Sequence, residues 1–421
     1  MTKPFGNNLN AKYDFTFEVL DVIISGRSSI DSPNGFQIEN RNDVARFIHS
    51  YGYDLEDPIQ KAEIFGNFHE AMNFVRKNFL HPDSPDGLKL DIPRKILEIT
   101  DASDLLLMAS SQYPGQGTET SGTLLRGWAC SLLKIMHTIA HIDKDLRTQH
   151  FADIQKQIFD RFYKYIFRDE NGQLFLGENS ADPLKVELVA FETKPKKARD
   201  SIILKLLHKP ENVAEDIFDR VGIRFITVNR LGALRVVKYL KDKMIIMPPN
   251  IKPSRSRNSL VDLEFFRSEM QELLMKASKG ELDEATFVEK LEQAAQPPRV
   301  SPDNPHSSEF YRSIQFTGRQ LIKLTNPLYD ELKELKTLSR KMSGGTDSEK
   351  LLKIEKLAEN IDLKNIQREV RFFYPFEVQV VDEISNDENE KGRSAHSEYK
   401  RAQVQTALRR VMGSLVDAAR S

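Results

Sequence analysis

The spacing of apolar residues changes character at Leu184, and that change restricts what the chain can fold into. Upstream, "DVARFIHSYGYDL", "DPIQKAEIFGNFHEAMNFVRKNFL" and "TLLRGWACSLLKIMHTIAHIDKDL" repeat apolar side chains at the period of helices buried on one face. Downstream, "LKVELVAFET" alternates as a strand does, and helical and strand-like stretches then follow one another. The pattern predicts an α+β protein, with a helical N-terminal domain over 1–180 and a sheet with helices packed on it over 181–421.

Within the second part, "SIILKLLHKPENVAEDIFDRV" reads as helix, turn and short helix, "GIRFITVN" as strand and "RLGALRVVKYLKDK" as helix. "MIIMP", "FYRSIQFTGRQLIKL" and "REVRFFYPFEVQVVDEI" read as further strands. Charged helical insertions are expected at about 262–300 and 327–366, and "SEYKRAQVQTALRRVMGSLVDAA" as a last helix. "DENGQLFLGENSADP" reads as a separator between the two parts and "DENEKGRS" as a polar loop.

Composition narrows the function classes. Net charge is −1, so any nucleotide or nucleic-acid contact has to use local basic patches. Cys130 is the single cysteine, which excludes an intramolecular disulfide and a cysteine-rich zinc site, and a reducing, cytoplasmic location is expected. The opening "MTKPFGNNLNAKYDF" lacks the apolar run of a signal peptide, and no apolar stretch approaches the ~18 residues of a membrane span.

Two regions carry candidate chemistry. At the start of the predicted helix after "FET", Arg199, Asp200 and Ser201 precede Lys205, and Lys197 lies just upstream. Exposed amides and a positive dipole end favour a phosphate there, while Asp200 or Ser201 acting as a plain helix cap fits equally. Asp219 precedes the strand that contains Arg224, a position suited to a magnesium ligand at a strand end. A second oxygen ligand is offered by "FEVQVVD", where Glu377 and Gln379 share one strand face. A Glu within an apolar strand needs a partner, and that partner is either a metal or a basic residue such as Arg224.

The order Lys197-x3-Ser201-Ile202-x2-Lys205, then Asp219-x2-Gly222-x-Arg224, then Glu377-x-Gln379 resembles the synthetase domain of the RelA/SpoT alarmone synthetases. "AHSEYK" is similar to that family's His and Tyr-Lys segment, bringing in His396 and Lys400, and "FYRSIQFT" to its guanine-stacking loop, with Tyr311 at the tyrosine position. Gln315 stands where the family usually has His, Pro195 where it often has Arg, and Val381 and Asp382 where an Arg commonly follows the Glu-x-Gln strand. The resemblance covers roughly 184–261 and 305–412.

What it implies is a nucleotidyltransferase-like mixed sheet that moves pyrophosphate from ATP to the 3′-hydroxyl of a guanine nucleotide, with Mg2+ as cofactor. On that basis Asp219 binds the metal, and Glu377 helps bind it or activates the hydroxyl. Lys197, Arg199, Ser201, Lys205 and Arg224 serve the ATP phosphates. Tyr311, Gln315, Gln379, His396 and Lys400 serve the acceptor. An RNA 3′ end as acceptor and a catalytically silent nucleotide sensor are the alternatives. The N-terminal part lacks the family's hydrolase His-Asp pair, so alarmone degradation is not implied.

Two further groups fall outside that scheme. His137 and His141 are four apart on one helical face with Asp145 a turn on, a spacing compatible with a metal or with a core helix. "KPSRSR", from Lys252 to Arg257, is a cationic loop suited to phosphates or to solvent.

Overall fold

The computed structural model describes residues 24, 38–80, 87–117, 120–194, 198–208, 220–298, 311–342, 356, 358, 368–391 and 396–420. Helices α1 (Arg41–Tyr51), α2 (Pro58–Asn78), α3 (Arg94–Leu97), α4 (Asp104–Ala109), α5 (Thr120–Asp143), α6 (Leu146–Gln149) and α7 (Phe151–Tyr163) come first. Their ends follow local chemistry. Asn40 caps α1 by accepting from the Asn42 and Asp43 amides, and Gly52, at φ 106°, closes it in the left-handed conformation. Asp57 caps α2 ahead of Pro58, whose missing N–H costs nothing at a first helical position.

Strands β1 (Ile166–Arg168), β2 (Leu174–Leu176) and β3 (Val186–Thr193) lead to α8 (Arg199–His208), β4 (Gly222–Thr227) and α9 (Arg230–Asp242). The rest comprises β5 (Arg257–Asn258), α10 (Leu263–Ser278), α11 (Glu284–Ala294), β6 (Ile314–Thr325), α12 (Pro327–Met342), β7 (Glu369–Asp382), α13 (Glu383–Lys391) and α14 (His396–Arg420). Among the described residues the strands form one mixed sheet in the order β1-β2-β3-β4-β7-β6-β5. Only the central pair β4/β7 is parallel, with Gly222 opposite Glu377 and Arg224 opposite Gln379.

Apolar burial builds two large cores, beside a smaller cluster in which Val44 and Ile48 of α1 meet Leu106 and Leu107 of α4. One unites α7, α9 and one face of the sheet, through Phe162, Val236, Ile223, Phe225, Phe376, Val378 and Val380. The other unites α2, α4 and α5 with α8 and α14, through Phe74, Leu105, Trp128, Leu132, Leu206 and Leu415. The cores therefore cut across chain order: α7, β1 and β2 pack with the sheet, while α8 and α14 pack with the N-terminal helices.

Three local expectations are corrected. "MIIMP" is not a strand. Met244 turns the chain at φ 54°, the amides of Ile245 and Ile246 both donate to the Leu240 carbonyl, and their side chains plug the sheet core. A short apolar run fits a buried turn as well as a strand. "DENGQLFLGENSADP" holds β2, paired antiparallel to β1 across a turn where Gly172 adopts φ 80°. The Asp387–Lys391 part of the expected polar loop is the end of α13.

Candidate functional site

Five of the candidates, Arg224, Glu377, Gln379, Gln315 and Tyr311, meet on the sheet face opposite α7 and α9. Alternation along β7 sends Phe376, Val378 and Val380 into the core and Glu377 and Gln379 to the other side. Strand pairing extends these into two polar rows. One runs Glu192, Arg224, Gln379, Gln315, Arg257 across β3, β4, β7, β6 and β5. The other brings Gly222, Glu377 and Thr317 side by side, with Lys194 entering where its amide donates to the Gly222 carbonyl.

Glu377 is only 9% exposed, so its charge needs compensation. Lys194 Nζ donates to Oε2 at 2.7 Å, and Gln315 Nε2 donates to Oε1. The expected alternative partner, Arg224, is engaged elsewhere. Its Nε donates to Gln379 Oε1 at 3.1 Å, and its Nη1 lies 3.3 Å from Glu390 and 3.6 Å from Glu192. Lys194 reaches Glu377 because Gly222 has no side chain: a Cβ there would lie 2.5 Å from Lys194 Cδ.

Tyr311 joins the same network, its hydroxyl accepting from Gln379 Nε2. The backbone around it is pinned from two sides. Ser259 Oγ donates to the Tyr311 carbonyl at 2.8 Å and accepts from the Ser313 amide at 3.1 Å. On α13, Asn389 accepts from the Arg312 amide at 3.1 Å and donates to the Arg312 carbonyl at 2.9 Å.

The phosphate-side candidates lie on α8. Arg199 opens the helix and is gripped by two carboxylates, Asp143 at 2.6 and 2.8 Å and Glu70 at 2.9 Å. Hydrogen bonds to Asp143, then to Glu70, raise its pKa above the ordinary arginine value. Asp200 pairs with Lys77 at 2.6 Å rather than capping its own helix. Ser201 and Lys205 are half-buried on α8, whose apolar residues Ile203, Leu206 and Leu207 face the helical core. Lys197 and Asp219 lie outside the described residues. The strand just after Asp219 nevertheless pairs with the Glu377 strand, the Glu377 amide donating to the Val221 carbonyl at 2.9 Å. His396 begins α14 and Lys400 is exposed on it.

The histidine pair is real but not joined by Asp145. The rings of His137 and His141 are 4.3 Å apart, and His137 Nδ1 shares a hydrogen bond of 2.6 Å with the Tyr51 hydroxyl. Asp145 instead caps α6 and binds Arg147 and Arg220. No group of three or more His, Cys, Asp or Glu side chains arranged for a metal occurs among the described residues. The cationic loop lies beside the polar rows: the Lys252 amide donates to the Thr317 carbonyl, and Arg257 pairs with Gln315.

Sequence reasoning missed Lys194, Thr317, Ser259 and Asn389. Lys194 carried a signal, a cation directly after a strand that alternates toward the site. The other three carried none, because each depends on strand register or on a docked helix. No family model matches the chain, and neither a curated protein nor a solved structure matches it.

Proposed function

We propose that the protein is a magnesium-dependent nucleotide pyrophosphokinase of the RelA/SpoT type, with a nucleotidyltransferase-like sheet, transferring pyrophosphate from ATP to the 3′-hydroxyl of a guanine nucleotide. One observation carries the reading: the Gly222-x-Arg224 strand and the Glu377-x-Gln379 strand are parallel neighbours, and Tyr311 and Gln315 reach the same polar face. Segments widely separated in sequence meet on one polar face, which supports the reading.

Glu377 is suited to take the proton of the attacking hydroxyl, since its carboxylate is held in place by Lys194 and Gln315. The acceptor oxygen bonds to the β-phosphorus of ATP as the bond to the α–β bridging oxygen breaks, and AMP leaves. Tyr311 offers a ring for the acceptor base, and Ser201 and Lys205 serve the phosphates. The donor set in place is incomplete for magnesium: Lys194 Nζ and Gln315 Nε2 hold both Glu377 oxygens, so a metal there would have to displace the lysine, with Asp219 as the other proposed carboxylate. When bound, magnesium would neutralise charge on the phosphate oxygens.

A silent nucleotide-binding module is the second reading, favoured by the saturation of both Glu377 oxygens. Incubation with labelled ATP, magnesium and a panel of nucleotides and tRNA separates the cases. A labelled pyrophosphoryl group on a guanine nucleotide supports the synthetase; label on tRNA alone moves the acceptor to RNA. Nucleotide binding without product supports the silent module.

A further inference from the structure

The end of α5 and the start of α6 place two carboxylates, Asp143 and Asp145, two positions apart. Each holds an arginine from the sheet half of the chain. Asp143 takes Arg199 at the first residue of α8 through two hydrogen bonds, at 2.6 and 2.8 Å. Asp145 takes Arg220, immediately before β4, at 3.2 Å, and Thr148 adds a bond to the same guanidinium nitrogen at 3.1 Å. These arginines bracket the stretch that contains Ser201, Lys205 and Asp219.

The turn itself is held firmly. Asp145 is fixed by its bond from the Arg147 amide at 3.1 Å and by Arg147 Nε at 2.8 Å. Thr148 Oγ1 donates to the Ile142 carbonyl at 3.2 Å, and Lys144 reaches Glu63 on α2 at 2.8 Å. The Arg220–Asp145 pair is dry, with side chains 6% and 8% exposed, so screening by water is small. A rigid turn gripping both ends of one segment fixes the distance between those ends.

We propose that Asp143 and Asp145 are positioning residues, which set α8 and the start of β4 relative to each other so that the N-terminal helices tune the ATP side of the site without touching substrate. This rests on the proposed synthetase reading.

The test uses the full chain with Asp143→Asn, with Asp143→Glu, which keeps the carboxylate, and with Thr148→Val as a milder change at the Arg220 end. Hydrogen exchange without ligand is expected to quicken about tenfold in the first turns of α8 and in β4, as for the loss of one charge-assisted hydrogen bond. In Asp143→Asn the KM for ATP should rise about tenfold with that for the acceptor unchanged, and Asp143→Glu should stay near the wild-type value. Exchange changes confined to α5 and α6, a parallel rise of both KM values, or an equal rise in Asp143→Glu would overturn the proposal. A wild-type chain that makes no product defeats the synthetase reading instead, and the exchange data still decide whether the brace exists.

Discussion

Gly222 and Lys194 are in van der Waals contact in a way that only a glycine permits. A Cβ at position 222 would meet Lys194 Cδ at 2.5 Å, Cγ at 3.0 Å and Cβ at 3.2 Å. The lysine arm crosses the glycine to reach Glu377 on the next strand.

Gly222→Ala is therefore expected to push the Lys194 arm aside and leave the Glu377 charge poorly compensated. The side chain can move, but its Cβ is tied to the backbone, so the cost is about 1–3 kcal/mol, as for overpacking elsewhere. Urea denaturation measures it. Unchanged stability would mean that Lys194 finds a second route to the carboxylate.

Glu377→Gln tests chemistry apart from folding. The amide keeps the shape and accepts from Lys194, so a loss of about 1 kcal/mol or less is expected. Turnover with ATP and acceptor should fall by at least about a hundredfold, the range of a lost general base. Asp219→Asn should behave alike if it shares the metal. Collapse of the fold with either change would make that carboxylate a structural ion-pair member.

Tyr311 now has two roles that substitution can separate. Alanine removes the ring, and loss of a stacked base weakens acceptor binding by about 1–3 kcal/mol. Phenylalanine keeps the ring but leaves Gln379, 3% exposed, without the hydroxyl that takes its Nε2 proton. Tyr311→Phe is thus expected to lower stability by about 1–3 kcal/mol while acceptor affinity holds. No sequence pattern announces that cost, because the hydroxyl's partner, Gln379, lies on β7.

The same limit explains which parts of the fold were legible. β4 and β7 stood out because their buried faces are built from Ile, Phe and Val in alternation. The end of α13 was hidden because its buried residues include Ser385 and Asn389, polar side chains that leave no apolar stripe. A helix docking on a polar sheet face has no hydrophobic period to read. Sequence alone leaves the partner of Glu377 open between a metal and a basic residue such as Arg224. The parallel register instead sets Arg224 against Gln379 and Gly222 against Glu377, and register between distant strands is a tertiary property.

His137 gives a pH signature independent of any chemistry at the sheet. Burial first, and the neighbouring His141 second, push its pKa down to about 4 from an ordinary value near 6.5. The unfolded chain therefore takes up a proton at this site as pH falls below about 6.5, while the folded chain resists until about 4. The stabilising contribution is complete above that window and is lost through it, by about 3 kcal/mol at its lower end. Unfolding midpoints between pH 7 and 4 should fall less steeply in His137→Gln than in the wild type. Parallel slopes would place the proton uptake on other groups.

Asn389 is the test of α13 as a strap over the acceptor side. Its amide group accepts one hydrogen bond from and donates one to the Arg312 backbone, one residue from Tyr311. Asn389→Ala frees that amide and carbonyl together, at a cost of about 1–2 kcal/mol. Asn389→Asp keeps the acceptor for the Arg312 amide and loses only the donor, so its effect should be intermediate. On the proposed reading, which gives Tyr311 to the acceptor, the acceptor KM should rise in the order wild type, Asp, Ala while the ATP KM stays level. A rise in the ATP value alone would move Tyr311 to the donor side of the site, and no change in either would reduce α13 to a cover for the sheet.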